Sequence, residues 1–291
     1  DRLLVLRDGV IRYDQDAPID WNIALREMLK EEGDEADNGN GSGIAELRSN
    51  DVVLELDGIQ LLPKSEPFDL TIRAGEVTGV FGLLGSGGNE LAHGMFGSTK
   101  FKDGSMKLEG SDYSPKLPAD AVASEVYMVP EDRTAGTIIK EWSLAAISTF
   151  PFLADIAPKA VLNASAEAAV GQSVIEDYGV VAQGPDDPIV SLSGGNQQKV
   201  VVGRWLRKQP KVMILNEPFQ GVDVGARHDL AERAREVAAA GSAVVVMSTD
   251  LGEIMEVADR GVLLADGNPR YDGYLTDTSR EEILERLSEV E

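Results

Sequence analysis

The chain is 291 residues long, room for one large domain or two small ones, and it has no cysteine, which excludes disulfides and thiolate metal sites. Its 27 basic and 50 acidic residues give a formal charge of -23, a surface that repels nucleic acid and anionic lipid headgroups. No apolar run is long enough to span a bilayer, and the first residues lack the basic start and long apolar stretch of a secretory signal.

The predicted elements begin with a strand inside Asp1-Arg2-Leu3-Leu4-Val5-Leu6-Arg7-Asp8-Gly9. The same pattern returns as Asp259-Arg260-Gly261-Val262-Leu263-Leu264-Ala265-Asp266-Gly267. Each copy has Asp-Arg, four strand residues, one variable residue and an Asp-Gly turn. A helix-like segment follows each, at residues 21–30 and 279–290. The spacing predicts an internal repeat, with residues 1–30 as the tail of an upstream domain and the sequence as the second half of a tandem protein. The missing initiator methionine points the same way. Residues 31–50 read as a flexible linker, because Glu31 to Gly43 is acidic, rich in Gly and Asn and free of large apolar side chains.

The main domain is expected over residues 51–291. Its predicted strands are Val52–Leu56, Val77–Phe81, Val126–Val129, Val212–Leu215, Val244–Met247 and Val262–Ala265. The four from Val77 through Met247 are continuously apolar, as in strands covered on both faces. Helical patterns fill Ala164–Tyr178, Gly195–Arg207, Ala226–Ala240 and Leu251–Ala258. The sum is an α/β fold with a doubly wound, mostly parallel sheet, whose ligands sit at the carboxyl ends of the strands. Residues 135–208 lack a strong strand and read as an inserted helical subdomain.

Three motifs lie at predicted strand ends. After Val77–Phe81 comes Gly82-Leu83-Leu84-Gly85-Ser86-Gly87-Gly88-Asn89 and then a helix, the context of a phosphate-binding P-loop. Gly82, Gly85, Ser86 and Gly87 can wrap phosphate with backbone N–H groups. Gly88, however, stands at the lysine position and Asn89 at the magnesium-binding hydroxyl position, so charge and metal ligand are both missing. Val212-Met213-Ile214-Leu215-Asn216-Glu217-Pro218 matches a Walker B strand in which Asn216 replaces the magnesium-supporting aspartate and Glu217 is the candidate general base. After Val244–Met247 comes Ser248-Thr249-Asp250, and Thr249 stands where the ATPases that these motifs resemble place a phosphate-contacting histidine; the two histidines, His93 and His228, lie elsewhere and read as structural or surface residues.

A fourth motif, Leu192-Ser193-Gly194-Gly195-Asn196-Gln197-Gln198-Lys199-Val200, is predicted to open a helix. Bare N–H groups at Ser193, Gly194 and Gly195, with the positive end of the helix dipole, make a phosphate site.

This motif, with Leu215-Asn216-Glu217-Pro218-Phe219-Gln220-Gly221-Val222-Asp223-Val224-Gly225-Ala226 and Tyr127-Met128-Val129-Pro130-Glu131-Asp132-Arg133, resembles an ABC-type P-loop ATPase. More narrowly it is similar to the second nucleotide-binding domain of the tandem ATP-binding proteins of bacterial monosaccharide importers. The resemblance implies two domains meeting head to tail, each site pairing one P-loop with the other domain's signature loop. Ser193, Gly194 and Gly195 would then serve ATP in trans on the upstream domain. The chain's own P-loop would form a degenerate site with little or no ATPase activity and weak or absent Mg2+. By the same resemblance Glu131 replaces the Q-loop glutamine, Asp223 lies at the domain seam, and the region of Trp142 and Leu144 faces transmembrane permease subunits. Leu61-Leu62-Pro63 stands where an adenine-stacking aromatic is usual. The implied ligand is ATP, the implied place the cytoplasmic face of the membrane, and the sugar is contacted only by other subunits. The rival reading is a non-catalytic nucleotide-sensing or assembly module. An ABC ATPase of DNA repair or translation would carry basic surfaces or long heptad arms, and this chain has neither.

Overall fold

A computed structural model describes residues 2–7, 10–17, 51–131, 137–157, 160–222, 224–279 and 282–283. The proposed linker, both predicted tail helices apart from residues 279, 282 and 283, and Asp223 lie outside these residues. The chain opens with a hairpin of β1 (Arg2–Arg7) and β2 (Val10–Asp16). Strands β3 (Val52–Gln60), β4 (Phe68–Arg73), β6 (Asp103–Leu108) and β7 (Ser111–Asp112) form an antiparallel sheet in the order β4-β3-β6-β7.

The main sheet has the order β12-β11-β5-β10-β9-β8. Its strands are β5 (Val77–Phe81), β8 (Val126–Val129), β9 (Val212–Asn216), β10 (Ala243–Ser248), β11 (Arg260–Ala265) and β12 (Asn268–Tyr274). Neighbours are parallel except at the β11–β12 edge. β5, β8, β9 and β10 are buried at every position, which is why their sequences are unbroken apolar runs rather than alternations. The expected parallel core is therefore present. The separate antiparallel sheet is not what a doubly wound reading foresees, although its strand β3 was.

The α-helices among the described residues are α1 (Gly88–Met95), α2 (Pro118–Ala123), α3 (Leu144–Thr149), α4 (Leu153–Ile156), α5 (Ala164–Asp177), α6 (Gly194–Trp205), α7 (Val224–Ala239) and α8 (Leu251–Val257), with short 3-10 turns at Phe150–Phe152, Ile189–Ser191 and Leu275–Asp277. Between residues 137 and 208 the described residues are helical or irregular, apart from one isolated bridge joining Ser143 to Pro188. Aromatic rings anchor α6 to the sheet. Trp205 stacks on Tyr127 at 5.4 Å and meets the edges of Phe96 and Phe152. Burying such rings contributes on the order of 2 kcal/mol each. Leu144 is completely buried, and Trp142 packs edge-on against Phe150. Leu144 therefore belongs to the core and cannot face a partner, which corrects the expectation drawn for it.

The repeated sequence forms repeated structure. In β1–β2 the partners run Arg2↔Asp16, Leu4↔Asp14 and Val5↔Tyr13; in β11–β12 they run Arg260↔Tyr274, Val262↔Asp272 and Leu263↔Tyr271. The register shift falls between Val5 and Leu6 in one hairpin and between Leu263 and Leu264 in the other. Each hairpin also carries the equivalent two-pronged ion pair, Arg2 to Asp14 and Arg260 to Asp272. They differ in surroundings. β11 pairs on its other edge with β5, and the Arg260 side chain is buried against Glu76, whereas β1 and β2 form a two-stranded sheet and the Arg2 side chain is exposed.

Candidate functional site

The carboxyl ends of β5, β9 and β10 meet at a cleft of about 210 Å3. Its floor is the loop from Gly82 to Asn89, including Gly85, Ser86, Gly87 and Gly88. A Cβ at Gly82 would lie 2.2 Å from Ser86 Oγ, so the first glycine is a packing necessity. Gly87 is the N-cap of α1 with φ 104°, a left-handed conformation natural to glycine. The Ser86 carbonyl accepts from Gly267 N at 2.8 Å, which ties the loop to the β11–β12 turn. Gly88 is different: a Cβ there would meet nothing within 4 Å, so glycine at the lysine position is not imposed by crowding.

Beside the loop, Asn216 Nδ2 donates to Asn89 Oδ1 at 2.9 Å and to Glu131 Oε2 at 2.6 Å. Asn89 Nδ2 reaches Glu131 Oε1 at 3.4 Å, and His93 Nε2 stands 3.4 Å from Glu131 Oε2. Asn216 is 1% exposed. A divalent cation needs oxygen acceptors at this place, but the buried group here is an amide N–H₂ whose bonds close the three side chains on one another. Among the described residues no group of three His, Cys, Asp or Glu is arranged to hold a metal ion.

Glu217 also lines the cleft. Its Oε1 accepts from Thr249 N at 2.9 Å, and its backbone has φ 48°, left-handed for a residue with a side chain. Such a conformation costs about 1–3 kcal/mol and persists where neighbours impose it; here Glu217 N donates to the Met247 carbonyl and its own carbonyl accepts from Gln220 N. Burial pushes the Glu217 carboxyl up, against the Thr249 bonds that lower it. Glu90, Glu131 and Glu217 line the cleft, and no lysine or arginine does so among the described residues. A triphosphate would enter a site with loop dipoles in its favour and carboxylates against it.

The signature residues stand elsewhere. Ser193 caps α6, its Oγ accepting from Asn196 Nδ2 at 3.0 Å and, at longer range, from Asn196 N. Neither Ser193, Gly194 nor Gly195 lines the P-loop cleft. Their helix has no acidic residue in its first turn, and Ser193 is exposed. Gln198 Nε2 donates to the Pro218 carbonyl at 3.1 Å, linking α6 to the residue after Glu217. His228 pairs with Glu232 on the exposed face of α7, away from the cleft. Ser248 and Thr249, at the end of β10, line the cleft as well, and sequence reasoning missed the interlocking of Asn89, Asn216 and Glu131. The signal for the latter was present, since both metal-ligand positions carry the same amide side chain.

A family model described as "ABC transporter" matches residues 65–220. The chain belongs to the ABC transporter family. Among its relatives is the ribose import ATP-binding protein RbsA of Geobacillus kaustophilus, 38% identical over 202 residues, which cover 69% of this chain and 41% of that protein. The arabinose import ATP-binding protein AraG of Rhizobium johnstonii is 33% identical over 270 residues, covering 92% of this chain and 53% of the relative. The chain thus spans about half the length of the curated relatives it matches. The ADP conformation of MJ1267, an ATP-binding cassette of an ABC transporter, superposes with a TM-score of 0.63 at 21% identity, covering 82% of this chain and 96% of that one. A nucleotide-free cassette gives 0.64 at the same identity. The fold is that of an ABC ATPase, a mixed sheet flanked by helices. No helix among the described residues is long and apolar enough to cross a membrane.

Proposed function

We propose that this chain is the ATP-binding part of a monosaccharide ABC importer and comprises its second nucleotide-binding domain. Ser193, Gly194 and Gly195 serve ATP bound to the first domain, while the chain's own P-loop site is degenerate, with weak or absent Mg2+. The observation that carries the reading is the Asn216–Asn89–Glu131 cluster, which fills the metal position with a hydrogen-bond donor. Its counterpart is a signature loop outside that cleft, opening a helix with no acidic residue in its first turn. The relatives' names, ribose and arabinose import ATP-binding proteins, supply the substrate class.

The matched hairpins support the tandem reading. β1 has the sequence, register and ion pair of β11, without the β5-like neighbour that covers β11. An upstream domain would provide that strand and bury Leu4 and Ile11, which are 40% and 54% exposed. In the assembled importer the protein sits at the cytoplasmic face of the membrane against permease subunits. The sugar is handled by other subunits. An apolar groove between α2 and the Phe150–Phe152 turn is the surface offered to the permease.

Magnesium-dependent ATP turnover by this chain alone, set beside turnover by the full-length protein with its permease, tests the reading. Turnover only in the assembly is expected. Robust turnover by the isolated chain would overturn the degenerate site. ATP binding without any turnover in the assembly would favour the nucleotide-sensing module instead.

A further inference from the structure

Three amide side chains in a row follow the signature glycines, and each makes a different bond. Asn196 Oδ1 accepts from Val181 N at 2.9 Å, and its Nδ2 donates to Ser193 Oγ at 3.0 Å. Gln197 Nε2 donates to the Leu192 carbonyl at 3.0 Å, within the loop itself. Gln198 is the buried one of the three, 3% exposed, and its Nε2 donates to the Pro218 carbonyl at 3.1 Å, 20 residues further on. From the Ser193 cap to Gln198 is about 7.5 Å along α6. Pro218 follows Glu217, whose backbone is left-handed with φ 48°. That turn is held by Glu217 N on the Met247 carbonyl at 2.9 Å, Gln220 N on the Glu217 carbonyl at 3.2 Å and Thr249 N on Glu217 Oε1 at 2.9 Å. A residue with a side chain keeps such a conformation only where its surroundings over-determine it, and its neighbouring carbonyls are then fixed as well. The Pro218 carbonyl is therefore a firm anchor just past the end of β9, and Gln198 reaches it from the signature helix.

We propose that Glu217 and Gln198 are positioning residues for the signature loop: the Glu217 turn fixes the Pro218 carbonyl, and Gln198 carries that placement through α6 to Ser193. The proposal rests on the reading that Ser193 serves ATP on an upstream domain, and it gives Glu217 a role other than that of a base. In a degenerate cleft a base has no hydrolysis of its own to serve. An acceptor for Thr249 N still has a purpose there, because it sets the turn on which the signature helix is seated. Donors that meet charge developing on a phosphate work only when placed closely, and misplacement by about 1 Å can lower a rate about 100-fold. Asn196 and Gln197 shape the loop, whereas Gln198 places it relative to the main sheet. A side chain of equal size without the donor would leave the Pro218 carbonyl unmet and the start of α6 free to shift.

The test measures ATP turnover by the full-length protein with its permease. Gln198→Met, which keeps the volume and removes the donor, should lower kcat about tenfold and move half-saturating ATP by less than about twofold. Val174→Ala is the stability control. Val174 is 2% exposed and packs beside Gly203 near the other end of α6, so this variant loosens the helix without touching Pro218. It should lower Tm comparably and leave kcat within about twofold. Glu217→Ala should also lower kcat about tenfold, whereas Glu217→Gln, which keeps an acceptor for Thr249 N, should lower it no more than about threefold. Because both residues act through one turn, the double variant Gln198→Met with Glu217→Ala should be no slower than about half the rate of the worse single variant. Gln198→Asn, an amide too short to reach Pro218, gives the same readout where Gln198→Met does not fold. A kcat loss matched by Val174→Ala, equal losses in Glu217→Ala and Glu217→Gln, or an additive loss of about 100-fold in the double variant would each overturn the proposal. Ser193→Arg distinguishes the two failures. Turnover indifferent to Ser193→Arg overturns the in-trans reading and the proposal together, whereas turnover lost in Ser193→Arg and unaltered in Gln198→Met overturns the positioning role alone.

Discussion

The P-loop helix α1 and the signature helix α6 both begin on glycine-rich loops, yet their first turns differ in charge: the first carries an acid and faces carboxylates across a cleft, the second carries no acid. α1 has Glu90 in its first turn, with Glu131 and Glu217 across the cleft. α6 has no acidic residue in its first turn and a serine hydroxyl at its cap. Both offer bare N–H groups and a positive dipole end. The difference shows that a helix N-terminus supplies about half a charge, which neighbouring carboxylates can cancel. Phosphate preference is set by what surrounds the turn, as much as by the turn itself.

The sharpest way to break this contrast is to damage the open loop. In the assembled importer, Ser193→Arg should lower ATP turnover by about 100-fold or more, as expected for loss of a positioned donor set at a transition state. A comparable intrusion at the closed loop, Gly88→Glu, should change turnover only a few-fold. Equal losses at the two loops would mean that the cleft is catalytic after all.

The next largest effect concerns the amide cluster. Asn216→Asp removes the donor to Asn89 and Glu131 and sets a buried carboxylate against another, at a cost of about 2–3 kcal/mol at neutral pH. The introduced acid would have its pKa raised in the folded state, so the loss should shrink as pH falls through the carboxylate range and grow above it. Thermal melts across pH, with and without Mg2+, check this; magnesium should stabilise the variant and leave the parent unchanged.

A smaller gain is expected from Gly88→Lys. The position has room for a side chain. A lysine facing three carboxylates and the loop dipoles should tighten ATP binding by about tenfold, readable by calorimetry. Because Asn216 stays neutral, that binding should be indifferent to EDTA.

The smallest effect belongs to Glu217. Burial raises its carboxyl, so the folded state loses stability as pH climbs through that raised value. Glu217→Gln keeps an acceptor for Thr249 N and removes the charge. It should raise Tm slightly at pH 7, and the gain should vanish at low pH, where the parent carboxyl is already neutral.

Much of the molecule was legible beforehand for definite reasons. Unbroken apolar runs such as Val244–Met247 revealed buried parallel strands, because strands covered on both faces have no polar side to show. The Gly-rich loops revealed themselves because only glycine tolerates the crowding at Gly82 and the left-handed turn at Gly87. The repeat at Asp1 and Asp259 was visible as spacing, and the hairpins repeat it in register. The antiparallel sheet was largely hidden, because β4, β6 and β7 are half-polar strands whose alternation is short. Leu144 looked available for a partner because burial depends on distant residues packing over it.

The sequence by itself determined the buried parallel strands, the glycine-rich loops and the missing lysine, since these depend on local chemistry and spacing. Tertiary structure alone decided that Asn89, Glu131 and Asn216 close on one another, although they lie 42 and 85 residues apart along the chain. It also decided that Gln198 meets the Pro218 carbonyl across 20 residues of chain. Hydrogen-bond satisfaction is a property of neighbours in space, and a single sequence does not state who those neighbours are.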